Sequence, residues 1–133
     1  MVAPAPRRRD DRGSAVVDFV LVAALLTIVF VAVVQLAVVL HVRNTLVDCA
    51  SEGARFGALA DRTPADGAAR TRELIGMSLS PRYAADVSAT TMTLDGLAVV
   101  QVRVRSPLPV IGLLGPGRGL DLTGHGVQEV AAP

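Results

Sequence analysis

One carboxylate stands where carboxylates are costly. Asp18 immediately precedes Phe19–Leu40 (FVLVAALLTIVFVAVVQLAVVL), a run with no charge, glycine or proline. A charge at the mouth of a membrane span must be paired or held where water and headgroups reach it. Two readings of Asp18 are open on these grounds. It could pair with a cation, or it could sit at the interface near the positive end of a helix. Other reactive side chains are sparse. Cys49 is the only cysteine, so no intramolecular disulfide can form. It is either a buried thiol or, on an oxidising side of the membrane, half of an intermolecular disulfide. His41 and His125 are far apart in sequence and form no Cys/His metal cluster. Gly115-Pro116-Gly117-Arg118-Gly119 lacks the Gly-Lys-Ser/Thr ending of a phosphate loop and reads as a turn. Nothing after the apolar run combines a nucleophile, a base and an orienting group, so no enzyme and no cofactor is expected.

The element that positions Asp18 is the run itself. About 20 apolar residues cross a bilayer as a helix. The run is too long for a secretory signal core, and His41-Val42-Arg43 after it is no small-x-small cleavage site. Arg7, Arg8, Arg9 and Arg12 precede it, and only Arg43 closely follows it. The positive-inside rule therefore expects the N-terminus in the cytoplasm and the C-terminal part outside. The Arg cluster fits anionic lipid at the inner leaflet. With 3% aromatic residues and no Trp, the chain lacks stacking platforms for single-stranded nucleic acid, and no nucleic-acid partner is expected.

Residues 1–12, rich in Pro and then in charge, are expected to be disordered. From Ser14 a helix can run to about Ala60, roughly 70 Å, far more than a bilayer needs. Beyond the membrane Val42, Leu46, Cys49, Gly53, Phe56 and Ala60 alternate four- and three-residue steps and form one apolar stripe. Glu52 and Arg55, off that stripe, could pair on the surface. Gln35 could either bond a neighbouring membrane helix or snorkel to the outer interface. Thr63-Pro64-Ala65-Asp66 is a helix start, and that second helix should reach about Leu79, with Ala68, Ile75 and Leu79 facing the first. Val87–Leu94 reads as a strand, Asp95-Gly96 as a tight hairpin, and Leu97–Arg105 as a strand with Val100, Val102 and Val104 inward. Residues 106–119 read as a Pro/Gly loop. Leu120–Val130 reads as a third strand weakened by Gly124 and Gly126. The expected class is α+β: a long membrane helix continuing as an amphipathic spine, packed on a small antiparallel sheet with a second helix.

The block Arg12-Gly13-Ser14-Ala15-Val16-Val17-Asp18-Phe19 resembles the class III leader of type IV pilins and pseudopilins. RGSAVVDFVLV at 12–22 and CASEGARFGALA at 49–60 together resemble TadE-like pseudopilins of the Tad (Flp) pilus system. The resemblance implies that a prepilin peptidase cuts between Gly13 and Ser14. Asp18 would then be the fifth residue of the mature chain, where the family usually has Glu, and would pair with the new Ser14 amine of a neighbouring subunit. It divides the chain into a cytoplasmic leader (1–13), a transmembrane helix (14–40) and an exported pilin-like domain (41–133). The implied partners are the prepilin peptidase, other Tad/Flp pilins and pseudopilins, and membrane lipid, with Gln35, Cys49, Glu52 and Arg55 as interface candidates. The implied location is a single-pass inner or plasma membrane, or a surface pilus. The roughly 90 residues beyond the span fit a minor pilin rather than the short main filament subunit. The alternative reading is an uncleaved, signal-anchored scaffold or binding domain.

Overall fold

The computed structural model describes residues 1–4, 11–109 and 119–130. Arg7, Arg8, Arg9 and the greater part of the expected Pro/Gly loop lie outside the described residues. In chain order the elements are helix α1 (Asp11–Gly57), helix α2 (Pro64–Ser78), a 3-10 turn (Pro81–Ala84), and strands β1 (Asp86–Leu94), β2 (Leu97–Pro107) and β3 (Gly119–Val127). The class is α+β, as expected. The chain divides into two compact units, Met1–Leu36 and Ala37–Pro133.

Among its described residues the first unit contains one element, the N-terminal part of α1. Val16, Val17, Phe19, Leu25, Ile28, Phe30 and Leu36 are all exposed. A helix apolar all round and covered by no other element is suited to hydrocarbon. It is long and apolar enough to cross a membrane. Among the described residues the helix is already formed at Asp11, three residues before the expected start at Ser14. Asp11 occupies the first turn, where an acidic side chain meets the positive end of the helix dipole.

In the second unit two helices lie on one face of a three-stranded antiparallel meander, in the order β1-β2-β3. β2 alternates as its sequence requires: Val100, Val102 and Val104 are fully buried, while Arg103 and Arg105 face outward. Asp95 and Gly96 both have positive φ (49° and 80°), as a two-residue type I′ hairpin needs. The core gathers Val42, Leu46, Cys49, Ala50 and Ala54 of α1, Ala68 and Ile75 of α2, Tyr83, and Val87, Val102, Val104 and Leu122 of the sheet. Burying a side chain such as Leu46 or Ile75 contributes about 1.5–3 kcal/mol.

α2 starts at a complete capping box. The Asp66 backbone N–H donates to Thr63 Oγ1 (3.2 Å), and the Thr63 backbone N–H donates to Asp66 Oδ2 (2.8 Å). The Thr63 hydrogen bonds hold the Asp66 carboxyl below its ordinary range. Its stabilisation is therefore present at neutral pH and is lost as pH falls through that lowered value. Ahead of Pro64, Thr63 takes the extended conformation that a residue before proline prefers. Ala68 and Ile75 are buried and Leu79 is half-buried.

The α1 surface differs from the single expected stripe. Ala50, Ala54, Gly57 and Ala58 are buried in addition to Val42, Leu46, Cys49 and Gly53, because α1 is covered on two sides. Phe56 is only half-buried, with the Arg62 guanidinium 4.8 Å and the Arg70 guanidinium 6.0 Å from its ring centre. Ala60 is exposed because the helix ends at Gly57. On the α2 side, a Cβ on Gly67 would lie 2.6 Å from the Gly53 carbonyl oxygen and 3.1 Å from the Gly57 Cα. On the sheet side, a Cβ on Gly126 would lie 2.5 Å from the Ala54 oxygen, and one on Gly124 would strike the Ala50 and Ser51 backbone. Gly124 and Gly126 are thus the seat of α1 on β3, not merely weak points in the strand.

This contact gives a direct prediction. Gly67→Ala and Gly126→Ala should each destabilise the second unit by about 1–3 kcal/mol, as overpacking does. Gly76→Ala, on the same helix as Gly67 but with nothing within 4 Å of the added carbon, should be neutral or stabilising by about 0.5–1 kcal/mol. Thermal unfolding of the full chain in detergent, followed by circular dichroism, distinguishes the two classes. Equal effects at all three sites would contradict the close-contact account.

Candidate functional site

Arg12, Gly13, Ser14 and Asp18 all lie in the N-terminal part of α1 and are exposed. Ser14 and Asp18 are four residues apart, so they lie one above the other on the same helix face. A carboxylate so placed can accept a hydrogen bond or an ion pair at the level of the Ser14 backbone nitrogen, from its own chain or from a parallel neighbour. Gly13 is helical and has nothing within 4 Å of an added Cβ. No packing contact requires glycine there, and an interior helical glycine costs about 0.5–1 kcal/mol relative to alanine.

Farther along the apolar segment, Thr27 satisfies its hydroxyl within the helix by donating to the Ala23 carbonyl at 2.8 Å. Gln35 is half-exposed, and its Oε1 is covered without a partner among the described residues.

In the second unit Cys49 is buried, 6% exposed, as one of the two sequence readings had it. Burial pushes its thiol pKa up, against a smaller lowering by a hydrogen bond with the Ser78 side chain. The thiol is therefore protonated at neutral pH and unreactive. An intermolecular disulfide would require this part of the core to open. Glu52 and Arg55 are both exposed on the side of α1 away from the core, and no ion pair joins them. The outer sheet face instead carries a two-point pair. Arg103 Nε donates to Asp121 Oδ1 at 2.8 Å, and Arg103 Nη2 bonds Oδ2. The Arg103 hydrogen bonds hold the Asp121 carboxyl low. Exposed pairs of this kind contribute little to stability. Arg72 Nη2 donates to the Val87 carbonyl oxygen (2.7 Å) and ties α2 to the start of β1. Among the described residues no group of three or more His, Cys, Asp or Glu is placed to hold a metal.

Arg12, Gly13, Ser14 and Asp18 thus lie together near one end of α1, in the first unit, whereas Cys49, Glu52 and Arg55 belong to the second unit. Sequence reading missed the paired glycine contacts of α1. Their signal was present in the small residues Ala50, Gly53, Ala54, Gly57 and Ala58 at three- and four-residue spacing, and in the alternate glycines of β3. No curated protein and no solved structure matches the chain. Residues 13–55 match the family model described as TadE-like protein, a result consistent with a TadE-like, pilin-type protein.

Proposed function

We propose that this chain is a minor pilin or pseudopilin of a Tad (Flp) pilus, an assembly component rather than an enzyme. The observation that carries the reading is the extent of the family match. It opens at Gly13, includes Asp18 and the apolar run, and ends at Arg55 among the small residues of α1. In this reading the Arg7–Arg12 leader stays cytoplasmic under the positive-inside rule. A prepilin peptidase cuts between Gly13 and Ser14, where glycine serves the cutting enzyme rather than the fold. The cut creates an α-amine on Ser14 that is cationic near neutral pH. Asp18 pairs with that amine on a neighbouring helix. Because an unpaired charge among apolar helices is costly, the pair sets the axial register of assembly. The second unit lies outside the membrane and meets other pilus components.

Processing tests the reading at its root. In cells with an active prepilin peptidase, mass spectrometry of the membrane-extracted protein should find a chain beginning at Ser14. A chain that retains residues 1–13 there would contradict it and favour an uncleaved, signal-anchored scaffold.

The Asp18 pair has its own test. Asp18→Ala should preserve membrane insertion, since it makes the segment more apolar, and should preserve cleavage, since the cut site is unchanged. Co-purification or crosslinking with other pilus components should fall sharply for Asp18→Ala and Asp18→Asn and persist for Asp18→Glu. Equal recovery of all variants would show Asp18 to be an interfacial residue only.

A further inference from the structure

The seat of α1 on β3 also fixes how far the second unit extends along the helix. Gly124 lies on Ala50 and Gly126 on Ala54, so two residues of strand accompany four of helix. That is the proportion expected from rises of about 3.3 Å and 1.5 Å per residue. β3 starts at Gly119, five residues before Gly124. The same proportion places Gly119 level with about Leu40, ten residues before Ala50. Core packing agrees with this register: Val42, the first buried residue of α1, shares a cluster with Leu122, and Leu120 packs against it. Pro107 is the cross-strand partner of Gly119 and lies at the same end of the sheet.

Leu40 is the last residue of the apolar run. The end of the sheet is therefore level with the last residue of that run. The described residues that leave β2 at that end are apolar: Pro107 is exposed, Leu108 and Pro109 are half-buried, and Val38 and Leu40 on the adjoining helix are exposed. Arg43 is exposed about one turn farther along α1. An apolar edge with arginine just above it fits the boundary between acyl chains and headgroups.

We infer that the β2–β3 end of the second unit, marked by Pro107, Leu108 and Pro109, is seated in the outer leaflet of the bilayer that α1 crosses, as a second lipid contact. The occupant of this surface is the lipid of that same membrane, because the apolar edge continues the apolar run at the level of Leu40. The inference rests on reading α1 as a membrane span.

The chain has no Trp, so a single introduced Trp reports its own surroundings. Leu108→Trp, Pro107→Trp, Leu97→Trp at the opposite end of the sheet, and Phe30→Trp within the span are each reconstituted as full chains. The vesicles are phosphatidylcholine with acyl chains brominated near the headgroup and, for Phe30→Trp, which lies about 15 Å below Leu40, with acyl chains brominated near their ends. Phe30→Trp establishes insertion. Leu108→Trp or Pro107→Trp should lose much of its fluorescence to the bromines and emit at shorter wavelength, while Leu97→Trp should keep its intensity. Pro107 is exposed, so its replacement does not depend on repacking the core. Quenching of both Pro107→Trp and Leu108→Trp no greater than that of Leu97→Trp, with Phe30→Trp quenched, would overturn the inference and leave the span intact. An unquenched Phe30→Trp would remove both.

Discussion

The second unit depends on one contact, the approach of the α1 backbone to two other backbones at once. On one side Gly53 and Gly57 meet Gly67 and Thr71, and on the other Ala50 and Ala54 meet Gly124 and Gly126. At such distances a side chain larger than the one present has no space. The contact determines which residues the helix can carry, and it sets the register between helix and sheet. That register aligns Leu46 and Val42 with Leu122 and Leu120 in the core. A chain with few aromatic residues and a small core gains stability from close backbone packing where it cannot gain it from large side chains.

The same helix has two parts suited to different solvents. From Phe19 to Leu40 its side chains are apolar apart from Thr27 and Gln35, and from Val42 onward one side is apolar and the other polar. The change falls at His41-Val42-Arg43. The matched family segment, residues 13–55, covers the apolar part and Ala50, Gly53 and Ala54 of the glycine seat, and stops short of Gly57. The surfaces that receive it, on α2 and β3, lie beyond the match. Gly13, Ser14 and the carboxylate of Asp18 stand at the N-terminal end of the matched segment.

Features governed by local rules were legible in the sequence. The Asp95-Gly96 hairpin, the alternation of Val100, Val102 and Val104, the Thr63 cap and the apolar span each depend on residues within a few positions of one another. Features governed by tertiary contact were less so. A single stripe on α1 assumes one neighbour, whereas two neighbours widen the buried surface to Ala50, Ala54 and Gly57. Phe56 was assigned to the core by its spacing but lies at the rim, where Arg62 and Arg70 stack on it. Gly124 and Gly126 looked like defects in a strand because the helix that fills their place comes from residues seventy positions earlier. At the N-terminal end of α1, the identities of Gly13 and Asp18 could be read directly. Whether Asp18 pairs with a neighbour is a property of two chains, which one sequence does not encode locally.

If the glycine seat holds the unit together, its part of α1 and the sheet cannot open separately. Native-state hydrogen exchange of the full chain in a bilayer mimetic, read by mass spectrometry, tests this most directly. The amides of Leu46–Gly57 should exchange only in the same opening event as those of Val100–Val104, with the same free energy and the same denaturant dependence. Exchange of Leu46–Gly57 at markedly lower free energy, while Val100–Val104 stay protected, would show that the sheet stands without the helix and would contradict the account.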